Sequence, residues 1–194
     1  MKNTLPLLAL LFVSQTVTAA VVTFDTPSFP GSSGRIEQYT ESGVYLAGAF
    51  NHADTGISGN PNNGTAFIQY DDTSSINIGM ANGSLFNMVS IDIAELNVNF
   101  SAADTVTFIG YRPGSVMVTQ VFTLDGLMGM GSDFQTFFFD AGFYGIQYAY
   151  VSDASLGYYS FDNLNVQAVP LPAAAWLFVS GLVGLMRFGQ RRKK

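Results

Sequence analysis

The sequence contains no cysteine and a single histidine, and only 11% of its 194 residues carry a charge. Without cysteine there can be no disulfide, no thiol nucleophile and no thiolate zinc site. With His52 as the one imidazole, zinc and other soft metals lack their usual ligands. A serine triad would have to use that same histidine, and no Gly-x-Ser-x-Gly elbow surrounds any serine. Phosphate-binding loops and dinucleotide fingerprints are missing too. His52, beside Asn51 and Asp54, reads as a solvated group in a polar loop. The adjacent acids Asp71-Asp72 read the same way, because glycosidase chemistry needs a second carboxylate at a defined distance. The chain is therefore expected not to be an enzyme.

What is present points to strands. Hydrophobic residues make up 48% of the chain, with 20 Gly, 17 Phe and 9 Tyr, while Lys/Glu-rich helical stretches are absent. Such a composition excludes intrinsic disorder and suits short strands joined by tight turns. All 14 acidic residues lie between Asp25 and Asp162, where only Arg35 and Arg112 are basic, a net of −12. A body so acidic repels phosphate backbones, so nucleic acid is excluded as a partner. The other basic residues sit at the ends, Lys2 on one side and Arg187, Arg191, Arg192, Lys193 and Lys194 on the other.

Those ends read as addresses. Met1-Lys2-Asn3, an apolar run from Thr4 to Val13 and small residues up to Ala20 make a signal peptide over 1–20, with cleavage after Ala19 or Ala20. At the other end, Val169 to Met186 is an uncharged stretch of 18 residues, at the lower edge of membrane-spanning length. Trp176 falls where an interfacial aromatic should, the prolines stop the helix from running back into the body, and Arg187 with Arg191 to Lys194 resists translocation. The expected topology is an outside body, one transmembrane helix and an inside tail.

Val169-Pro170-Leu171-Pro172, then Ala173-Ala174-Ala175-Trp176-Leu177-Phe178, Ser180-Gly181-Leu182-Val183-Gly184-Leu185 and the terminal Arg191-Arg192-Lys193-Lys194 resemble the PEP-CTERM sorting segment. The namesake Pro-Glu-Pro stands here as Pro170-Leu171-Pro172, with Leu in place of Glu. The resemblance covers 169–194. It implies that an exosortase-like membrane protease recognises the Pro motif, cuts near it, and passes the body from an inner-membrane intermediate to the cell surface or extracellular matrix. An uncut tail anchor is the alternative.

The body, 21–168, shows about ten alternating segments. Val116–Asp125 places Val116, Val118, Phe122 and Leu124 on one face, with Gln120 the only break in that row. Ser90–Leu96 sets Ile91, Ile93 and Glu95 opposite Asp92, Ala94 and Leu96. The other segments are Val21–Asp25, Val44–Ala47, Thr65–Tyr70, Ser75–Ile78, Thr105–Phe108, Phe134–Phe139, Ile146–Tyr150 and Tyr158–Val166. Asn63-Gly64 and Asn82-Gly83 read as hairpin turns, Pro113-Gly114 and Asp125-Gly126 as turn formers. Pro27–Gly34 and Asn51–Asn63 read as exposed loops. The expected fold is an all-β antiparallel sandwich.

Val22-Thr23-Phe24-Asp25, Tyr39-Thr40-Glu41-Ser42-Gly43-Val44 and Tyr159-Ser160-Phe161-Asp162-Asn163-Leu164-Asn165-Val166 resemble pieces of jelly-roll domains similar to carbohydrate-binding modules. By that resemblance Asp25 and Asp162 are candidate ligands of a structural calcium. The alternative is a β-bulge in which Asp162 or Asn163 bonds its own backbone. Phe137-Phe138-Phe139, Phe143-Tyr144, Tyr148, Tyr150, Tyr158 and Tyr159 must largely fill the core, yet three consecutive Phe cannot all point inward. An outward tyrosine row would offer sugars a stacking platform. The sequence thus points to a structural or adhesive surface component, or else to a module for extracellular polysaccharide.

Overall fold

The computed structural model describes residues 19–25, 33–53, 60–70, 75–96, 104–127, 133–152 and 157–169, together with Gly181. The expected signal peptide up to residue 18, and the sorting motif, Trp176 and basic tail beyond Val169, lie outside the described residues. Among the described residues no helix is long and apolar enough to cross a membrane. Thr18–Val169 forms one compact unit, where the sequence placed the body at 21–168.

In chain order the strands are β1 (Ala19–Val22), β2 (Ser33–Glu41), β3 (Val44–Ala53), β4 (Phe67–Tyr70), β5 (Ile76–Met80), β6 (Phe86–Glu95), β7 (Thr105–Arg112), β8 (Val116–Thr123), β9 (Gln135–Phe138), β10 (Tyr148–Ser152) and β11 (Tyr159–Ala168). Every pairing is antiparallel. One layer runs β2-β3-β5-β10-β7-β8. The other runs β9-β6-β11, with β1 and β4 sharing the far edge of β11. β4 also pairs with the last residues of β3, so it joins the layers.

β3 can serve both layers because of Gly48. Its first half pairs with β5 and its last three residues with β4. Between them Gly48 has φ of +146°, and a Cβ there would lie 2.5 Å from the Ser75 carbonyl oxygen. Only glycine permits that backbone and that approach.

The layers close over an aromatic core. Phe122 on β8 stacks on Phe137 of β9 at 4.8 Å, and Phe108 on β7 meets Phe139 edge-on at 5.0 Å. At the other end Phe24 packs on Tyr39 and Phe161 at 5.3 and 5.6 Å. Each fully buried ring contributes roughly 1.5–3 kcal/mol by leaving water. The Phe triplet divides as expected: Phe139 is buried, Phe137 half-buried and Phe138 69% exposed. Gln120, the break in the β8 row, is used at both amide atoms. Its Nε2 donates to the Phe138 carbonyl at 3.0 Å and its Oε1 accepts from the Asp140 N–H at 2.9 Å. One side chain thus ties β8 to the exit of β9.

Several expectations need correction. β2 was not foreseen, because a bulge between Ile36 and Gln38 breaks its alternation. Asn51–Ala53 is strand, not loop, and His52 is wholly buried rather than solvated. Its Nε2 contacts the Phe24 carbonyl and its ring stacks on Tyr39. Asn82-Gly83 makes a turn, with the Gly83 N–H bonded to the Met80 carbonyl at 2.9 Å, but it links β5 to β6 in opposite layers and makes no hairpin. Asn63-Gly64 lies within the long connection from β3 to β4. Pro113-Gly114 does return β7 into β8.

Candidate functional site

Cross-strand register assembles the outer face of the six-stranded layer. Residues directly opposite in adjacent antiparallel strands share a face. One row runs Met117, Tyr111, Tyr148, Gly79, Tyr45, Thr40 across β8, β7, β10, β5, β3 and β2. The next runs Thr119, Ile109, Tyr150, Asn77, Ala47, Gln38 across the same strands. Neither row holds a charged side chain, although the body carries −12.

The tyrosines are organised. Tyr111 stacks on Tyr148 at 4.6 Å with 16° between ring planes, and lies 5.9 Å from Tyr150. A hydrogen bond to Tyr111 holds the Tyr150 phenol above its ordinary range. Tyr148 keeps 43% of its surface exposed. Gly79 separates Tyr148 from Tyr45, and a Cβ at Gly79 would have its nearest neighbour, the Gln147 carbonyl oxygen, 4.0 Å away. The face therefore has a bare slot between two aromatic rings, with the Asn77 amide in the adjoining row.

A second cluster gathers around Asp162. β11 bulges there, with Asn163 at φ of +47°, and the Asn163 N–H bonds Asp162 Oδ1 at 2.6 Å. This is the self-bonded bulge the sequence allowed. Asp162 Oδ2 accepts from Asn63 Nδ2 at 2.7 Å and from Thr65 Oγ1 at 2.8 Å. Asp25 binds the same loop, its Oδ1 accepting from the Ala66 N–H at 3.3 Å. Asp162 is fully buried. Desolvation, with a smaller contribution from the Asp25 charge, pushes its pKa up to about 6, against the pull of its three hydrogen bonds.

Asp25, Asp162, Asn63 and Thr65 supply the hard oxygens that calcium favours. Both Asp162 oxygens, however, already accept from N–H or O–H donors, and Asn63 turns its amide nitrogen, not its oxygen, toward them. The carboxylates make only a pair, since no group of three or more His, Asp or Glu side chains placed for a metal occurs among the described residues.

The structure brings Asp25 and Asp162 to one place, but distributes the late aromatics differently from a single row. Tyr159 is buried on Tyr70, and Phe143 is in the core. Tyr148 and Tyr150 do reach the outer face. Sequence reasoning missed Tyr45 and Tyr111. Tyr111 has the parity opposite to buried Val106 and Phe108, which was the available signal.

No protein-family model matches the chain, and no curated protein does. Among solved structures the chain is similar to a family 29 carbohydrate-binding module from Piromyces equi, at 13% identity and a TM-score of 0.40, over 80% of this chain and 93% of that one. It is similar to a cleaved adhesin domain of Lys-gingipain from Porphyromonas gingivalis at 12% identity and a TM-score of 0.40, over 79% and 99% of the two chains. Another cleaved adhesin domain of Lys-gingipain gives 14% identity and a TM-score of 0.45, over 79% and 100%.

Proposed function

We propose that the chain is an exported, non-catalytic module with a jelly-roll-like sandwich that binds a neutral polysaccharide across the outer tyrosine face. The observation that carries this reading is the pair of charge-free rows, with Tyr148 and Tyr45 flanking the slot at Gly79. Sugar rings stack on aromatic faces through their C–H surfaces, and amides such as Asn77 bond the hydroxyls. An uncharged platform on a body of −12 selects against acidic polymers. The burial of His52 supports a non-catalytic role, since the single imidazole is enclosed by Tyr39 and Phe24.

Delivery in this reading belongs to 169–194. Pro170-Leu171-Pro172 is the site for an exosortase-like protease in the membrane, after the bilayer span and the cations from Arg187 to Lys194 have halted export. What supports this is the order of those residues in the sequence. Calcium at Asp25 and Asp162 would be structural, since Asp162 lies on β11 and Asp25 just past β1, not on the strands that carry the tyrosine rows.

Retention of the full-length protein on insoluble polysaccharides tests the binding reading. Tyr45→Ala and Tyr148→Ala should each abolish retention on the polymer that holds the wild type. Retention that survives both changes refutes the assignment, and favours a structural or adhesive matrix role instead.

A further inference from the structure

Where β6 and β8 end and β9 begins, Glu95, Asp125 and Asp133 lie close enough that the charges of Asp125 and Asp133 both act on Glu95. Neither basic residue of the body answers them. Arg112 closes the opposite end of β7, where it donates to the Ala141 carbonyl at 2.6 Å. Arg35 on β2 is four strand steps from β6, through β3, β4 and β11, or about 19 Å at the usual strand spacing. Glu95 is 2% exposed and shares the core-facing row with Tyr159. Its Oε1 accepts the Gly126 N–H at 2.6 Å, which turns the carboxylate toward the Asp125-Gly126 turn. Its Oε2 is buried, and among the described residues no donor reaches it. Asp133 has a buried oxygen in the same condition, Oδ2. Burial, with the two neighbouring charges adding to it, holds the Glu95 carboxyl above its ordinary range against the pull of backbone hydrogen bonds. Burial and the Asp125 charge raise Asp133 too.

We propose that Glu95 and Asp133 hold a calcium ion at this end of the sandwich, in a site separate from Asp25 and Asp162. Asp162 spends both its oxygens on donors of its own chain, whereas Glu95 and Asp133 each keep a buried oxygen without one. A buried carboxylate with no counter-charge is held at a cost, and a cation among three acids relieves it for all of them at once. The available donors are hard oxygens, which favours calcium over zinc or copper. Calcium tolerates irregular geometry and completes its six to eight ligands with water, while magnesium demands a near-ideal octahedron. Asp125 commits Oδ1 to the Leu127 N–H at 2.9 Å and contributes charge rather than a third ligating side chain. That agrees with the lack of a cage of three carboxylates among the described residues. Asp125 is exposed, Asp133 half-buried and Glu95 buried, so the acids mark a path from solvent to the ion.

The test titrates calcium chloride into chelator-treated, full-length protein in non-ionic detergent, read by calorimetry and by melting temperature. A saturable site with a Kd of about 0.1–1 mM is expected, and about 10 mM calcium should raise the melting temperature by several degrees. Glu95→Gln and Asp133→Asn should each weaken this site at least tenfold, and Asp162→Asn should leave it. Asp104→Asn removes an exposed charge from the same end, since the Asp104 carbonyl accepts the Leu124 N–H, and should change the affinity less than twofold. In chelator at pH 7, Glu95→Gln should melt no lower than the wild type, because it keeps an acceptor for Gly126 and removes an uncompensated charge. Its lost calcium response then reports ligation and not misfolding, and Asp133→Asn checks the site independently. Absence of saturable binding overturns the proposal. So does equal weakening by Asp104→Asn, the mark of a diffuse charge effect. Binding that survives Glu95→Gln and Asp133→Asn but vanishes in Asp162→Asn overturns it as well.

Discussion

The carboxylate of Glu41 receives the backbone N–H of Phe24 at 3.0 Å, fixing the chain just after β1 to the end of β2. The same group accepts from the Thr23 N–H and Oγ1 at 3.2 Å each and from Tyr39 Oη at 2.7 Å. Phe24 needs this hold, because its φ of +56° is a left-handed conformation that a bulky residue adopts only when its surroundings impose it. His52 contributes from the carbonyl side. Glu41→Ala should therefore destabilise the protein by about 2–4 kcal/mol, the scale for leaving several buried donors unmet. Glu41→Gln, which retains an acceptor oxygen, should cost less. Urea unfolding of the three proteins checks the order.

Gly48→Ala probes the pivot of β3. The new methyl would sit 2.5 Å from the Ser75 carbonyl oxygen, which is backbone and cannot swing aside. A loss of about 2–4 kcal/mol is expected, larger than the usual helix-type Gly/Ala difference and of opposite sign to an entropic gain. Equal thermal stability of mutant and wild type would contradict the pivot.

Gly79→Leu tests the slot without touching a tyrosine. Nothing lies closer to the added Cβ than 4.0 Å, so folding should be nearly unaffected while the side chain fills the space between Tyr148 and Tyr45. Polysaccharide retention should fall at least tenfold with the melting temperature held within a few degrees.

Asp162 gives the protein a pH signature. Its folded-state pKa of about 6 is above the ordinary carboxylate value, so the fold favours the protonated form. That contribution is complete below about pH 4 and is lost as pH rises through 6, by up to about 3 kcal/mol. In chelator, melting temperature should fall between pH 4 and 7, and Asp162→Asn should flatten the decline. Calcium at pH 7 should restore more stability to the wild type than to Asp162→Asn, because a cation favours the ionised carboxylate.

The sequence made most of the sandwich legible because its strands alternate cleanly where one face is buried. Ile91, Ile93, Phe122 and Leu124 are buried as their spacing required, but Ala94 and Leu96 on the opposite face are buried too, and Val116, in the row of Phe122, is 54% exposed. β2 escaped because one extra residue reverses the parity of everything after it. His52 escaped because Asn51 and Asp54 gave its surroundings a polar look, while its burial depends on Tyr39 of β2 and on Phe24, just past β1. The tyrosine rows could be read only in part. Parity sends Tyr111, Tyr148 and Tyr150 outward, but that β10 lies between β7 and β5, and that Gly79 falls between two tyrosines, follows from strand order. Likewise Asn63 meets Asp162 across 99 residues of chain, a separation at which local pattern carries no information.

Among the described residues, the last backbone donor the sandwich uses is the N–H of Val169, bonded to the Leu85 carbonyl at 2.9 Å. Pro170 and Pro172 have no N–H to extend the ladder. If the proposed processing cuts beyond Val169, it severs none of the sheet bonds among the described residues, and the body keeps its ladders without refolding.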